Sequence, residues 1–330
     1  MRLHRTIILA VAFAAAPALW AATPSPALLV LNKEGSLAIV NPATGAVTGR
    51  VPTGEDPHEV AASTDGKFAF TSNYGSARPG SEGHTISVID LAAQKEIHRF
   101  DLTPLRRPHG LYFTDGKLYF TVEANKAIGR YDPIKNKVDW VLGTGQNTTH
   151  MVHLSKDGSM IFTANIGSNS ISIFERTSGR DQWNQVVVPV GKNPEGFDVT
   201  PDEKQLWAAD GGDGHVSVID LASKKVTRTF DIHTKRSNRL KFTPDGNLAL
   251  VSDLGTGDLV ILDGHTGAER KRINLGRSIA GILITPDGSR AYVAATSDNN
   301  VAVVNLKTLT VEGKLHTGQG PDGMAWIAAR

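Results

Sequence analysis

His58, His109 and His150 each open a short apolar segment, and Glu195 opens the next segment of the same kind. Imidazole and carboxylate are donors for a divalent first-row ion, and a site with open positions polarises a carbonyl or activates water. Without an ion, the same histidines serve as general bases with Glu123 or Glu195 as partner. Followed onward, the opening position reads Asn238, Ala280 and Asp322. A neighbouring set, at the end of the following segment, reads Asn73, Glu123, Asn165, Asp210, Asp253, Thr296 and Asn32. Three candidate groups follow. His58, His109, His150 and Glu123 are the acid–base candidates; Asn73, Glu123, Asn165, Asp210, Asn238, Arg239 and Asp322 are the ligand-binding candidates. His58, His109, His150 and Glu195 form the candidate metal set. A solvent-filled opening is polar whatever it binds, so a pocket for a polar small molecule stays open beside the metal. Sheets pack about 10 Å apart whereas metal ligands lie within about 2 Å of the ion, so these residues must converge strongly.

The elements that must position them are written in a repeated phrase. An apolar run, a turn containing aspartate and two further apolar runs recur, with the turn at Asp65, Asp115, Asp157, Asp202, Asp245 and Asp287. The intervals are 50, 42, 45, 43 and 42 residues. A period in the low forties built only of short strands is the signature of a β-propeller. Around Asp157 the strands run from 150 to 154, 160 to 165, 170 to 174 and 185 to 190, with alternation bounded by Gly, Asn and Asp. Six complete units are present, flanked by orphaned strands at 28–32, 37–41 and 47–51 and by one more at 321–327. The remnants complete each other. The predicted fold is all-β: a seven-bladed propeller of four-stranded antiparallel blades, closed by three N-terminal strands and one C-terminal strand, which removes free sheet edges. The start of strand one and the end of strand two then share a face, near the mouth of the central channel.

Residues 1–22 read as a secretory signal peptide, with a cationic head at Met1–Arg5, an apolar stretch from Thr6 to Trp20 and cleavage after Ala21 or Ala22. Residues 23–330 form one predicted domain, exported to a periplasm or to the medium. The chain has 35 Lys and Arg against 33 Asp and Glu, and loss of Arg2 and Arg5 leaves the two equal. That balance argues against nucleic acid and against an anionic membrane surface, and a monomer is expected. Cysteine is absent, which excludes disulfides and thiolate chemistry. The loops entering the first strands carry Arg106, Arg107, Lys192, Lys235, Arg236, Arg239 and Arg277, a set suited to steering and clamping a carboxylate or phosphate. The longest interval marks an insertion at 74–84, rich in Gly and Ser, placed to act as a lid over the mouth. No Gly-x-Ser-x-Gly elbow exists, and Gly318–Gly323 matches a dinucleotide fingerprint only formally, without a following helix. Trp140, Trp183, Trp207 and Trp326 are expected to pack between blades.

Ile86-Ser87-Val88-Ile89-Asp90-Leu91, Val216-Ser217-Val218-Ile219-Asp220-Leu221 and the Pro-Asp-Gly turns at 244–246 and 286–288 resemble the YVTN-type propeller repeat. From about residue 27 to 330 the chain is similar to YncE-like exported propellers. The resemblance implies the fold and leaves the activity open, since similar propellers include lactone hydrolases, lyases and haem- or metal-associated proteins. Three functions follow as expectations: a propeller binding a polar ligand or divalent metal at the mouth, a lactone hydrolase or lyase, and an interaction scaffold.

Overall fold

The computed structural model describes residues 22–76, 78, 80–177, 179 and 181–329. The predicted leader therefore lies outside the described residues except for Ala22. The chain folds into seven four-stranded antiparallel sheets arranged as a propeller. Blade one is composite: Pro321–Ile327 is its innermost strand and pairs with Ala27–Asn32, followed by Ser36–Val40 and Val47–Pro52. Blades two to seven begin with the inner strands Pro57–Ala62, Pro108–Thr114, Thr149–Leu154, Pro194–Val199, Ser237–Phe242 and Ile279–Ile284.

Burial explains why the strands read as they do. The second strand of each blade is sandwiched by neighbouring blades and is buried almost throughout, as in Gln205–Asp210. The outermost strands alternate, as in Lys95–Asp101, because one face meets water. The apolar core lies between blades. Phe100 of blade two stacks on Tyr131 of blade three with ring centroids 3.9 Å apart. Trp207 of blade five packs edge-on against Phe242 of blade six at 5.1 Å. Trp140 and Trp183 meet across blades three and four, and Trp326 meets Tyr292 across the closure.

One local device recurs around the axis. Every inner strand carries one extra residue against its neighbour near its start, for instance between Pro57 and Val60, Pro108 and Leu111, and Thr149 and Val152. The same irregularity marks the other four. A bulge bends the strand and re-aims a side chain. Two residues before the re-aimed position, Asp56, Arg107, Thr148, Asn193, Ser278 and Gly320 adopt left-handed backbone, with φ between 40° and 65°. Recurrence in six blades makes this conformation part of the architecture.

Buried hydroxyls hold the bulges. Thr121 accepts from the Gly110 N–H at 2.8 Å and donates to the His150 carbonyl of the next blade at 2.7 Å. Ser252 does the same between Arg239 and Ala280, at 3.0 and 2.7 Å. Glycine lets adjacent inner strands touch. A Cβ on Gly110 would lie 2.6 Å from the His150 carbonyl oxygen, and one on Gly323 would lie 2.5 Å from that of His58. Backbones in contact bring their side chains far closer than the usual sheet spacing. Gly110→Ala is accordingly expected to cost about 2 kcal/mol or more in urea unfolding. Gly143→Ala, where an added Cβ meets nothing within 4 Å, is expected to stay within about 0.5 kcal/mol of wild type.

Candidate functional site

The bulges deliver one side chain per blade to a cavity of about 700 Å³ at the mouth of the channel. Its first ring is His58, His109, His150, Glu195, Asn238, Ala280 and Asp322, each immediately after the first residue of its inner strand. Its second ring is Lys33, Tyr74, Glu123, Ile166, Gly211, Leu254 and Thr296. At five of its seven positions this second ring lies one residue beyond the sequence expectation, whereas Glu123 and Thr296 stand where expected. The residues paired across from the inner-strand starts are Asn32, Asn73, Val122, Asn165, Asp210, Asp253 and Ala295. Because strand side chains alternate, one step along the chain separates cavity from interior. Glu123 and Thr296 lie on the cavity side. Asn73, Asn165 and Asp210 turn away and bond to the third strands instead: Asn73 donates to Ser87 at 2.9 Å and Asn165 to Ser172 at 3.0 Å. Asp253 accepts from the Lys235 and Arg236 backbone at 2.8 and 2.9 Å.

The three imidazoles form one connected group. His58 Nδ1 lies 3.1 Å from His109 Nε2, and the His109 and His150 rings have centroids 3.6 Å apart. His150 Nδ1 donates to Glu123 Oε1 at 2.5 Å, and its Nε2 lies 3.6 Å from Glu195 Oε1. The Tyr74 hydroxyl donates to Glu123 Oε2 at 2.7 Å, while its ring lies 4.4 Å from that of His58. Arg107 reaches the same Tyr74 hydroxyl and lies 3.3 Å from Glu123. Two buried nitrogens, His109 Nδ1 and His150 Nε2, have no hydrogen-bond partner among the described residues.

Protonation differs along this row. Burial alone would drive the proton from His150, but the carboxylates of Glu123 and Glu195 outweigh it and push its pKa up to about 9. His109 goes the other way: burial, then the positive His150 and the neighbouring His58 ring, hold it well below its ordinary value. A neutral imidazole thus stacks on a charged one. His58 Nε2 lies 3.1 Å from Lys33 Nζ and 3.4 Å from Asp56 Oδ2, while its Nδ1 faces His109 Nε2.

The floor is an ion pair that crosses the axis. Arg239 of blade six bonds Glu59 of blade two, and lies 3.9 Å from Glu195. Burial opposes the Arg239 charge, but Glu59, Asp322 and Glu195 raise its pKa further. Asp322, bridged to Lys33 at 3.0 Å, is held below the usual carboxylate range by Lys33, His58 and Arg239 in spite of burial. Glu195 is likewise held down, by His150 and Arg239 against burial. Below this floor a chamber of about 200 Å³ has mixed walls, with Leu111, Phe197 and Ile282 facing His153, Arg239 and Lys241.

Five Lys and Arg side chains line the cavity against three carboxylates, so with charged His150 the wall is cationic. Lys235 and Arg236 line it without an ion pair among the described residues. Lys192, Arg106 and Arg277 do not line it, and Arg277 is taken by Asp298 at 2.7 Å. The 74–84 insertion extends a hairpin, with Gly75 paired to Glu82, and borders a separate recess of about 310 Å³. It contributes Tyr74 to the central cavity. Lys33, Glu59 and Tyr74 escape the sequence reading, since only alternation counted from the bulge assigns them inward positions.

His109, Glu123 and His150 each offer one donor atom, all within 4.8 Å of one another. Neutral imidazole and carboxylate suit a borderline first-row divalent ion, and each of the two histidines keeps one buried ring nitrogen without a hydrogen-bond partner among the described residues. Glu195 lies on the His150 edge of this group and His58 on the His109 edge.

Comparison with known proteins adds the following. A family model described as Lactonase, 7-bladed beta-propeller, matches residues 128–238, about a third of the chain. That interval holds His150, Glu195 and Asn238 but not His58, His109, Glu123, Arg239 or Asp322. A curated relative, antigen Lp49 of Leptospira interrogans, is 27% identical over 100 residues. The match covers 30% of this chain and 22% of that protein, so it spans less than a quarter of the relative's length. Among solved structures, a candidate 6-phosphogluconolactonase from Bacteroides uniformis superposes with a TM-score of 0.75 at 15% identity, covering 92% of this chain and 99% of that one. Hydrazine synthase of Kuenenia stuttgartiensis gives a TM-score of 0.68 at 20% identity, covering 81% and 88%. At such identities the likeness is one of fold.

The charged His150 gives a pH signature. Its raised pKa means that the Glu123–His150 pair contributes stability fully below about pH 6.5 and loses it as pH rises through about 9. The stability of wild type relative to His150→Gln is expected to fall across that window in urea titrations. A difference independent of pH would show that His150 is neutral throughout.

Proposed function

We propose that this is an exported propeller whose cavity binds a small anionic, polar molecule and hydrolyses a lactone within it. The observation that carries the reading is the pair of unpartnered buried nitrogens, His109 Nδ1 and His150 Nε2, beside rim cations without ion pairs. Glu123 occupies His150 Nδ1, while the Nε2–H of the imidazolium has only Glu195 Oε1 near it, at 3.6 Å, and turns to donate to a carbonyl oxygen and to the oxyanion that develops on it. A neutral imidazole, His58 or His109, takes the proton of the attacking water as the water oxygen bonds to the carbonyl carbon. The ring carbon–oxygen bond then breaks, and the leaving alkoxide takes that proton back. Lys235 and Arg236 bind the carboxylate or phosphate of the substrate. The partial match to a lactonase model and the candidate 6-phosphogluconolactonase among the similar folds support this reaction class, for which a phosphorylated sugar lactone is a natural probe.

The test is proton release from a panel of δ-lactones with and without a phosphate group. His150→Ala is expected to lower kcat/KM by about 10² or more. Replacing Lys235 and Arg236 by Ala is expected to raise KM about tenfold with little change in kcat, an effect that shrinks in high salt. Calorimetric binding of a phosphorylated sugar acid without turnover of any lactone would leave the binding function and remove the hydrolysis.

A second reading rests on the three clustered donors: His109, Glu123 and His150 hold a divalent ion that polarises the same carbonyl. Such binding expels the His150 proton, so it weakens as pH falls. Elemental analysis of protein purified without chelator, repeated on His109→Ala, is expected to show a first-row ion in wild type alone. Absence of any such ion, with no heat on zinc titration, rules this reading out.

A further inference from the structure

Asp210 occupies a position that the propeller repeats in every blade, and its surroundings there are exceptional. Two residues into the third strand, blades two, four and five each carry a serine: Ser87, Ser172 and Ser217. The residues facing them are Asn73, Asn165 and Asp210. In the first two cases an amide N–H donates to the serine oxygen, at 2.9 and 3.0 Å. Asp210 Oδ2 lies 2.6 Å from Ser217 Oγ, where an ionised carboxylate accepts the serine O–H and a protonated one donates to the serine oxygen. Its other oxygen, Oδ1, is buried without a hydrogen-bond partner among the described residues. Asp253 stands at the same place in blade six, where Val260 replaces the serine, and it shows what an ionised residue needs. Four donors surround it: the Lys235, Arg236 and Gly255 N–H groups and the Thr256 hydroxyl, at 2.8 to 3.0 Å.

We propose that Asp210 is a carboxylic acid in the native protein, donating its proton to Ser217 as Asn73 and Asn165 donate theirs, and that this proton latches the blade-five wall of the cavity. The Asp210 carboxyl packs against Gly191, where an added Cβ would lie 2.5 Å from Oδ2. The Gly191 N–H reaches Ser217 Oγ at 3.4 Å, and Gly211 and Gly212 donate to the Asn193 and Lys192 carbonyls at 3.0 and 2.8 Å. Asn193, Glu195 and Gly211 line the cavity. A negative charge on Asp210 is buried beneath this loop, where the Asp213 carboxylate opposes it.

The charged groups on the elements packed around it are Asp213 on its own loop, Lys192 on the loop before the inner strand and His215 at the head of the third strand. Asp213 disfavours the Asp210 charge; its own carboxylate accepts the Lys192 N–H at 2.9 Å and lies 3.5 Å from His215. Burial outweighs the hydrogen bonds from Ser217 and the Gly191 N–H, which favour the charge, and with Asp213 adding to it pushes the Asp210 pKa up to about 7. A folded pKa above the unfolded value of 3.8 means that stability falls as pH rises from about 4 to about 7 and is then level, while native Asp210 itself ionises near 7.

The inference about the proton stands apart from the lactonase reading, and only its effect on ligand affinity rests on that reading. The experiment compares wild type with Asp210→Asn by thermal melting and by hydrogen exchange of the 191–193 and 211–212 amides, without any ligand. Melting temperatures are expected to coincide near pH 4 and to separate in favour of the variant up to about pH 7. Exchange corrected for its intrinsic rate is expected to rise about tenfold between pH 6 and pH 8 in wild type and to stay flat in the variant. Infrared spectra of wild type decide the matter should the variant fail to fold: a carboxylic-acid carbonyl band present at pH 6 and gone by pH 8 upholds the proposal. No such band at pH 6, or melting and exchange identical in the two proteins at every pH, overturns it.

Discussion

The whole cavity depends on backbone contact between neighbouring inner strands at the channel mouth. Four-stranded blades left at ordinary sheet spacing would hold His58, His109 and His150 too far apart to interact. The bulge, the left-handed residue before it and the shared hydroxyl pull the strand starts together. Gly110 and Gly323 remove the Cβ atoms that would hold their blades apart. Each ring contact and ion pair in the site is a consequence of that approach. The convergence is therefore a property of the closed ring and of no single blade.

Crowding so many ionisable groups into one place has to be balanced locally. A buried ion pair adds little net stability once desolvation is counted, yet an unpaired partner is costly. The site follows that rule. Arg239 is placed among Glu59, Glu195 and Asp322, and the charge on His150 is matched by Glu123 and Glu195. His109, with no carboxylate of its own, is the member that stays neutral. Because Glu59 and Arg239 come from blades two and six, their pairing also ties opposite sides of the ring and closes the channel into a cup.

Architecture and closure are legible in the sequence because strand alternation and the Asp turns repeat in nearly constant spacing. The positions of the first ring are legible too, because each lies at a countable offset inside its strand. The second ring is not. Polar residues end most second strands, so Glu123 and Thr296 look equivalent to Asn73 and Asp210. Pairing shows that Val122 and Ala295 are the true equivalents, one step earlier. Asn73, Asn165 and Asp210 are there for the serines of the third strands, a cross-strand relation that no local pattern announces. Glu59 looks exposed by alternation, and only the extra residue of the bulge turns it to the axis. The glycine after His109, Glu195, Ala280 and Asp322 is the one trace that this approach leaves in the sequence.

Pseudo-symmetry gives seven equivalent places, and chemistry enters where the equivalence is broken. Blades two to five present imidazole and carboxylate on the first ring, whereas blade seven presents Ala280, and Ile166 and Leu254 interrupt the second ring. The unpaired cations belong to blade six, where Asp253 fixes the backbone of Lys235 and Arg236 with both of its oxygens. Blade six is also the one ring position whose approach residue, Arg236, lacks the left-handed backbone of its six counterparts. The cavity thus has a polarity across its width, with fixed positive charge on one side and a proton-carrying imidazole pair on the other. A ligand with an anionic group at one end and an electrophilic carbonyl at the other matches that polarity in one orientation only. For the lactone proposed above, that single orientation would set its carbonyl against His150 before any bond is made.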